Sequence, residues 1–439
     1  MSMRNIIVIA YQLHYNKGSE CSVGWDYIQN MSKNNHLFVI YGSSGDHHDI
    51  GNTKELEEYT QNHIYPNITF IPVKPSFVSH NWDYTLKGAK RFYEEYRKWH
   101  EDVYNEVKEI LNNNKIDIIH FVEPIGYHEP GILYKLPVPY IWGPIGGMGT
   151  VPTQLLLTSD IVNHTHSGLS LIIKNKASHL RLRLNKRVKE AMRESDVVIC
   201  AVSKYSNIIE RVIGKKHHSV IKYLPENCMK DVYDLNLDKY KSEKINMICI
   251  GRLDSGKAPM IILEALKRMG EKAKSIHVDF LGDGPLFGRC QAFIQDNSLE
   301  DVVTLHGKVS RDTVFKMMSN AQMMLFSSLK ESNSTVVWEA MAHAVPTLCI
   351  DHCGMHDTIT ESSGIKIPVL PYSQVVRRIS EQLQRIVDDP SILKKMADRL
   401  LGERLSYTWE IRQNVFEHYY SIAEEQFKKR AENANKTKN

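Results

Sequence analysis

Short apolar runs alternate with longer segments of helical periodicity along the chain. The runs end in polar or glycine-containing loops, a pattern typical of parallel strands that helices cover on both faces. In the first half they predict strands at residues 5–11, 37–41, 69–73, 116–124, 138–142, 195–202 and 219–224. In the second half they predict strands at residues 246–250, 277–282, 302–306, 323–326 and 345–350. Helical periodicity predicts helices at residues 23–32, 87–111, 171–190, 258–269, 373–387, 392–403 and 408–431.

This alternation in both halves predicts an α/β protein with two Rossmann-like domains. A chain of 439 residues is also too long for one ordinary core. The polar stretch after Pro225 is the best candidate for a linker. The predicted boundaries are therefore 1–225 for an N-terminal domain, 226–244 for the linker and 245–407 for a C-terminal domain.

Composition narrows the class of protein. Hydrophobic residues make up 42% of the chain and charged residues 24%, which describes an ordinary globular protein. The net charge of +4 is too small to indicate nucleic acid, so no nucleic-acid partner is predicted. No stretch approaches the roughly 20 apolar residues of a membrane span, and the first apolar run is too short for a signal peptide. We therefore expect a cytoplasmic protein.

The seven cysteines are odd in number and scattered, which indicates buried thiols in a reducing compartment. An alternative is a metal cluster at Cys349 and Cys353, with His352 between them and His356 nearby. No second cluster with zinc spacing follows, so no metal site is predicted.

The most informative stretch is residues 329–346, where an apolar run gives way to a polar loop and then a short helix. Glu331 falls in the loop and Glu339 about one and a half turns into the helix, roughly 7 Å along its axis from the start. Between them, the free N–H groups near Ser334 and Thr335 would attract a phosphate. Carboxylates on both sides of an anion cradle suggest a nucleotide sugar. The alternative is that both glutamates are solvated surface residues.

A second loop after a strand carries Arg252 and Lys257, with Gly251 and Gly256 beside them. A guanidinium fork and a flexible ammonium group together suit a diphosphate. They would also stabilise a nucleoside diphosphate as it departs.

The N-terminal half offers candidates at the predicted strand ends, which point toward the ligand crevice in open α/β sheets. They are His120, His128 and Glu129 after one strand, Gly146 and Gly147 after the next, and Gly18 with Ser19 after the first. A histidine or glutamate at such a position, taken alone, is more often structural than catalytic. Gly18 and Ser19 could form a simple turn with a helix cap.

Taken together, these motifs resemble the retaining glycosyltransferases of family 4, which have the GT-B fold. The resemblance rests on the glutamates eight positions apart followed by Ala-Met-Ala, the Arg and Lys loop, and the Asp-Gly-Pro turn at 283–285. Gly-Ser-Glu at 18–20 and Trp-Gly-Pro-Ile-Gly-Gly at 142–147 resemble a bacterial subgroup. The chain departs from the pattern at His128, where the subgroup has Arg, at Met148, where a polar residue is expected, and at Ala258, where Gly is usual.

The resemblance implies two domains facing one another across a cleft, with the helix at 408–431 crossing back to the N-terminal domain. It implies that Arg252, Lys257, Ser334 and Thr335 hold the donor diphosphate, that Glu331 positions the sugar and that Glu339 binds the ribose. Val309 would lie where family members hold the nucleobase through backbone groups, and Gly18 and Ser19 near the donor phosphates. His120 would contact the sugar near the reaction centre, while His128, Glu129, Gly146 and Gly147 would lie on the acceptor side.

The predicted function is retaining transfer of a sugar, without a metal or cofactor, from a nucleotide sugar to a glycan or lipid-linked oligosaccharide. UDP is the expected nucleotide because of its prevalence in such enzymes, and capsule or O-antigen synthesis is the context that the subgroup implies. A nucleotide-sugar epimerase of the same architecture, a non-catalytic sugar-binding protein and a partner subunit are the alternatives.

The segment 171–190 carries seven basic residues at helical spacing. A basic amphipathic helix can lie on an anionic membrane surface. The alternative is a solvated face over a packed apolar stripe. The segment is therefore a candidate for peripheral contact with the inner membrane.

Overall fold

The computed structural model describes residues 3–17, 19–44, 52–75, 86–155, 168–215, 217–233, 235, 237–242 and 244–436. The chain divides into two compact units. The first comprises Met1–Met148, Leu180–Glu226 and Trp409–Asn439, and the second comprises Gly149–His179 and Asn227–Thr408.

The first unit contains a parallel sheet, whose strands in the described residues have the order β3-β2-β1-β4-β5-β6-β7. These strands are β1 (Arg4–Ala10), β2 (Asn35–Tyr41), β3 (Ile68–Pro72), β4 (Ile118–Glu123), β5 (Tyr140–Ile145), β6 (Val197–Cys200) and β7 (Val220–Tyr223). The inner strands are buried on both faces, and in β4 every residue is buried. Such strands must be apolar on both sides, which is why the sequence shows them as continuous apolar runs.

The helices and turns in the first half of the chain belong to the first unit, apart from those within Gly149–His179, which belong to the second. The helices are α1 (Ser19–Met31), α2 (Lys54–Gln61), α3 (Leu86–Asn113), α4 (Gly168–Leu184), α5 (Lys186–Glu194) and α6 (Tyr205–Ile213), with short 3₁₀ turns at Leu133–Lys135 and Thr153–Leu155. Helix α3 contributes Tyr96, Trp99 and Val103, which are fully or almost fully buried against the apolar side chains of the sheet.

The last helix, α14 (Trp409–Lys436), belongs to the first unit, as the predicted return of the chain requires. Its Phe416, Tyr420 and Ala423 are completely buried. The Tyr420 hydroxyl contacts that of Tyr27 on α1, and Arg4 at the start of β1 forms ion pairs with acidic residues of the helix. Helix α14 is therefore part of the core of the first unit.

The second unit contains another parallel sheet, with the described strands in the order β10-β9-β8-β11-β12-β13. They are β8 (Ile245–Ile250), β9 (Ile276–Leu281), β10 (Val303–Gly307), β11 (Met323–Phe326), β12 (Thr347–Ile350) and β13 (Gly364–Ile367). The helices are α7 (Pro259–Met269), α8 (Phe287–Asp296), α9 (Arg311–Asn320), α10 (Thr335–Ala342), α11 (Gly354–Thr358), α12 (Tyr372–Asp388) and α13 (Ser391–Glu403), with 3₁₀ turns at Leu237–Lys241, Gly270–Ser275 and Arg404–Tyr407.

Two separate apolar clusters cover the two faces of this second sheet. One joins α7 and α12 to the sheet through residues such as Ile261, Phe280 and Ile379. The other packs α10 against the sheet through residues such as Met324 and Val337. The sheet is thus covered on both faces, as its apolar strands require.

The segment 226–244, predicted to be a linker, packs against the second unit over part of its length. Tyr240 is buried and donates a hydrogen bond to the Ala344 carbonyl oxygen at 2.7 Å. Lys239 donates to the His343 carbonyl oxygen at 3.2 Å, and Arg404 donates to that of Ala342 at 2.6 Å. Three donors therefore satisfy successive carbonyl oxygens at the C-terminal end of α10, where the last carbonyl groups of a helix lack intrahelical N–H donors.

The prediction of one helix over 171–190 is wrong. The structure has two helices, α4 and α5, separated at Asn185, which has extended backbone angles. The Asn185 side chain accepts a hydrogen bond from the Val188 amide at 3.2 Å and so caps α5. Asparagine favours such caps over helix interiors because its amide competes for backbone groups.

Candidate functional site

The loop that follows β8 is shaped by its own side chains. Asp254 accepts hydrogen bonds from the amides of Gly256 at 2.9 Å and Lys257 at 3.0 Å. Ala258, directly before α7, has φ 48° and lies in the left-handed region. This conformation explains why glycine is usual at the position, since it meets no Cβ penalty there.

Within this loop, Lys257 and Arg252 have different surroundings. The Lys257 ammonium pairs with the carboxylate of Glu331, which is 74 positions further along the chain. Ser327 fixes the backbone beneath it by donating to the Lys257 carbonyl oxygen at 2.8 Å. The Arg252 side chain is half exposed and its Nε lies 3.6 Å from Asp254 Oδ2. Two predicted site residues, Lys257 and Glu331, are thus brought together at the ends of adjacent strands.

The loop that carries Glu331 is fixed from the other side by the turn after β12. The Glu331 carbonyl oxygen accepts a hydrogen bond from the Gly354 amide at 3.0 Å. A Cβ at position 354 would collide with the Ser332 carbonyl oxygen, so only glycine fits this close approach. The position of Glu331 is therefore set by the packing of two loops.

Helix α10 begins immediately after this loop, at Thr335. Ser334 is its N-cap residue, but its side chain makes no capping hydrogen bond. Thr335 Oγ1 is buried and has no hydrogen-bond partner among the described residues. The first-turn amides of a helix have no intrahelical acceptors, and the positive end of the helix dipole lies there. The N-terminus of α10 can therefore receive an anion.

Glu339, one turn further along α10, is almost completely buried. Its Oε1 forms an ion pair with Arg311, the first residue of α9. Its Oε2 is buried and has no hydrogen-bond partner in the described part of the chain. Arg311 was not among the predicted site residues, because nothing in its sequence neighbourhood distinguishes it from an ordinary arginine at a helix start.

The nucleobase prediction concerns the loop between β10 and α9. Val309 is half buried and packs against the apolar cluster beneath α10. The preceding Gly307 has φ 67° and accepts a hydrogen bond from the Gly282 amide at 2.8 Å. The Asp-Gly-Pro turn, in turn, contacts the Arg252 loop, since the Leu253 amide donates to the Asp283 carbonyl oxygen at 3.0 Å. These loops form one connected edge of the second sheet.

The ring of His120, the predicted sugar contact, is completely buried in the first unit. Its Nε2 donates to the Gly143 carbonyl oxygen at 2.8 Å, and its Nδ1 lies 2.8 Å from the Tyr27 hydroxyl. Burial lowers the pKa of His120 to about 3, so the ring is neutral. His120 lies within β4 beneath α1 and α14, and it joins these elements through hydrogen bonds.

The acceptor-side candidates have different environments. Glu129 is buried, and its oxygens bind Arg97 at 2.6 Å and Arg187 at 2.9 Å, so it links α3 to α5 and is not an exposed site group. His128 is exposed and stacks between the rings of Tyr93 and Tyr127.

The two glycines of the next loop also differ. Gly146 is buried and its amide donates to the Ile125 carbonyl oxygen at 2.8 Å. Gly147 is exposed, with φ 79°, a backbone conformation that favours glycine. Gly18 lies outside the described residues. Ser19 begins α1, but its side chain also lies outside them.

The candidate metal ligands have other partners. His352 Nε2 donates to the Thr150 carbonyl oxygen at 2.8 Å, and His356 pairs with Asp351 at 2.6 Å. In the part of the chain that the structure describes, no group of three or more His, Cys, Asp or Glu residues could hold a metal ion. Within the same residues, no helix is both long and apolar enough to cross a membrane.

Comparison with known proteins locates a related region in the second unit. The family described as Glycosyl transferases group 1 matches residues 234–400, which include the loops of Arg252, Lys257, Glu331 and Glu339. The chain is 24% identical over 153 residues to the alpha-D-kanosaminyltransferase of Streptomyces kanamyceticus, covering 35% of this chain and 39% of that protein. It is 25% identical over 166 residues to the putative colanic acid biosynthesis glycosyltransferase WcaL of Escherichia coli, covering 36% of this chain and 41% of that one. These matches span about two fifths of the length of the relatives.

Similarity of structure extends over nearly the whole chain. Anabaena HepE, solved in complex with UDP, superposes with a TM-score of 0.61 at 13% identity, covering 95% of this chain and all of that one. Because the sequence identity is only 13%, this structural similarity establishes the fold alone. The predicted fold, two Rossmann-like domains of the GT-B class, is confirmed.

Proposed function

We propose that this chain is a retaining glycosyltransferase that moves a sugar from a nucleotide sugar, most simply a UDP-sugar, to a glycan or a lipid-linked oligosaccharide. The observation that carries the proposal is the meeting of Lys257 and Glu331 beside the N-terminus of α10. Glu339 lies one turn further along the same helix, inside the region that matches group 1 glycosyl transferases.

The proposed chemistry is electrostatic. As the glycosidic bond breaks, negative charge grows on the departing diphosphate. Lys257, Arg252 and the amides at Ser334 and Thr335 would stabilise that charge, so the reaction needs no metal ion or other cofactor in this proposal. Glu331 would hold the hydroxyl groups of the donor sugar, and Glu339 would hold the ribose. Val309 and its loop would contact the base through backbone groups.

For the first unit, we propose a role in holding the acceptor. The exposed groups that support this assignment are His128 and Gly147, which lie after neighbouring strands β4 and β5. Gly146, Gly18 and Ser19 remain candidates by the resemblance of their loops. A role in assembling a cell-surface polysaccharide, such as a capsule or an O-antigen, is consistent with the name of the WcaL relative, which refers to colanic acid.

Peripheral contact with an anionic membrane through α4 and α5 is a further part of the proposal. Ile173, Leu180 and Leu184 are exposed, and their spacing of seven and four residues places them on one face of α4. Residues 161–189 contain no Asp or Glu, so the basic side chains around this face are not balanced by acids in the same segment. We also propose that the protein acts in the cytoplasm, where its seven free thiols would stay reduced.

The test is a binding panel with UDP, GDP, ADP and dTDP, with and without magnesium, followed by Lys257→Ala. We expect one diphosphate to raise the melting temperature without magnesium, because a ligand at about 100 times its dissociation constant adds about 2.7 kcal/mol of stability. Lys257→Ala should weaken that ligand about tenfold or more and reduce sugar transfer. The matched control is Lys274→Ala, which removes an exposed lysine paired with Glu271 in the same unit.

If none of the four nucleotides binds, the proposal is wrong. If the protein converts a nucleotide sugar to its epimer without any acceptor, the chain is an epimerase and not a transferase. If the nucleotide binds and no acceptor is ever glycosylated, a non-catalytic subunit or sugar-binding protein becomes the better description.

A further inference from the structure

The ion pair between Arg311 and Glu339 engages only one of the two carboxylate oxygens of Glu339. Arg311 contacts Oε1 of the carboxylate, whereas Oε2 is buried and has no donor among the described residues. A buried acceptor without a donor is destabilising, so proteins rarely leave one without a reason such as a function or a bound group. Glu339 is more than nine-tenths buried, which makes this the most distinctive polar group near α10.

Arg311 is itself held in a defined place. It follows the N-cap Ser310, whose side chain accepts a hydrogen bond from the Thr313 amide at 3.2 Å. Its guanidinium carbon lies 4.9 Å from the centre of the Phe315 ring, one turn along α9. The planar guanidinium is therefore placed between an aromatic ring and a carboxylate, an arrangement that a lysine side chain cannot reproduce.

We infer that Arg311 is a positioning residue that makes the site select ribonucleotides over deoxyribonucleotides. This inference rests on the proposed function, in which Glu339 binds the ribose. By binding Oε1, Arg311 holds the Glu339 carboxylate in one rotamer and leaves Oε2 as the acceptor for a ribose hydroxyl. A deoxyribonucleotide that lacks this hydroxyl leaves Oε2 buried without a donor.

The predicted discrimination follows from that missing hydrogen bond. A hydrogen bond to a charged group contributes about 1.5 to 3 kcal/mol, which corresponds to roughly ten- to hundredfold in affinity. Without Arg311, the carboxylate is free to rotate, and the penalty for a deoxyribose then falls.

The experiment measures dissociation constants of UDP, GDP and ADP and of their 2′-deoxy and 3′-deoxy counterparts on the full chain. We expect the wild-type protein to bind one ribonucleotide at least about tenfold more tightly than one of its deoxy counterparts. In Arg311→Met this ratio should fall below about threefold, and Arg311→Lys should give an intermediate ratio. In a Glu339→Gln background, Arg311→Met should change the ratio no further.

The ratio compares two ligands on one variant, so a general loss of stability or affinity cancels. Arg377→Met is the matched control, since Arg377 pairs with Glu381 on an exposed helix face of the same unit. An unchanged ratio in Arg311→Met overturns the inference. A wild-type ratio near one also overturns it, together with the proposed ribose contact of Glu339, while leaving the proposed sugar transfer standing. If the wild-type protein binds none of the nucleotides, the proposed function fails first.

Discussion

At the scale of single residues, Lys257 and Glu331 form an ion pair with each other. Without a bound sugar donor, neither charged group is available to a ligand. Both side chains are about two thirds buried, so the pair is partly shielded from water. A diphosphate that takes Lys257 as its partner must break this contact. The proposed donor therefore replaces an existing ion pair when it binds.

This competition leads to a prediction for Glu331→Gln. Removing the charge should tighten the binding of the free nucleoside diphosphate by about two- to fivefold, since a partly exposed ion pair contributes up to about 1 kcal/mol. The same variant should lose sugar transfer, because an amide cannot accept hydrogen bonds from the sugar hydroxyls as strongly as the carboxylate proposed to hold them. Titration calorimetry and a transfer assay measure the two effects.

Glu271→Gln, which breaks the exposed pair with Lys274, is the control and should change neither quantity. Weaker diphosphate binding in Glu331→Gln would show that the Glu331 carboxylate holds Lys257 in place for the phosphates and does not compete with them.

The individual site residues differ in how far the sequence could place them. Lys257 and Glu331 were predictable because each follows an apolar run, and the carboxyl ends of parallel strands meet at one edge of a sheet. His120 was not, because its position inside a run leaves open whether it reaches the strand end or is covered by a helix. The covering helix is α14, nearly 300 residues away in the chain. Arg311 could not be predicted from the sequence, since its partner Glu339 comes close only when α9 packs near α10.

At the scale of elements, α14 is tied to the sheet of the first unit by charge as well as by its apolar side. Arg430 donates to the Glu194 carbonyl oxygen at 2.8 Å, and its Nη2 lies 3.5 Å from Asp196 Oδ2. Asp196 is completely buried before β6 and accepts a hydrogen bond from the Tyr140 amide at 2.9 Å. Burial raises the pKa of Asp196 to about 6 despite these partners.

A raised carboxyl pKa gives a defined dependence of stability on pH. The folded state holds the Asp196 proton more tightly than the unfolded state, whose pKa is about 3.9. The contribution to stability is therefore complete below pH 4 and is lost as the pH rises through about 6, by roughly 3 kcal/mol at most. In Asp196→Asn the fall in melting temperature between pH 4.5 and pH 7.5 should be smaller than in the wild-type protein.

The control is Asp388→Asn, which removes an exposed carboxylate paired with Lys272 and should keep the wild-type pH profile. A profile of Asp196→Asn that matches the wild-type one would mean that Arg430 and the Tyr140 amide fully compensate for the burial of the charge.

The elements themselves were largely predictable, because burial on both faces of a parallel sheet forces the apolar runs that mark β4, β8 and β11. The break at Asn185 could not be predicted, because a single asparagine does not change the helical periodicity of the sequence. It ends a helix only where its side chain accepts a hydrogen bond from a backbone amide of the next one, as it does here from Val188. That choice depends on the direction in which α5 must run to pack with the first unit.

At the scale of the whole molecule, the chain enters the first unit, builds the second and returns to the first through α14. The return buries Phe416, Tyr420 and Ala423 completely. The predicted boundary 1–225 followed the order of the sequence, whereas the structure places Gly149–His179 with the second unit. Within that segment, Asn175 donates to the Val151 carbonyl oxygen at 2.9 Å, and Leu155 is buried in the core of the second unit. No local sequence pattern shows that a segment from the first half of the chain packs with the second unit.

The return of the chain predicts the effect of removing α14. A chain that ends at Thr408 should lose the cooperative unfolding of the first unit, because removal of three fully buried side chains, two of them aromatic, costs several kcal/mol. Deletion of residues 432–439 is the control, because the residues of this segment whose burial is described are exposed, and it should unfold like the full chain. Differential scanning calorimetry separates the two units, and an unchanged first transition in the shorter chain would contradict the role given to α14.

The place of α14 also sets an order of events during synthesis. The core of the first unit needs residues that the ribosome adds only after the whole of 227–408, and roughly 200 residues take about 10 to 40 s to translate. The second unit can complete its sheet within that interval, whereas the face of the first sheet that α14 covers stays open to water. Nascent chains of this protein should therefore engage holding chaperones through the first unit and be released from them when the last helix emerges.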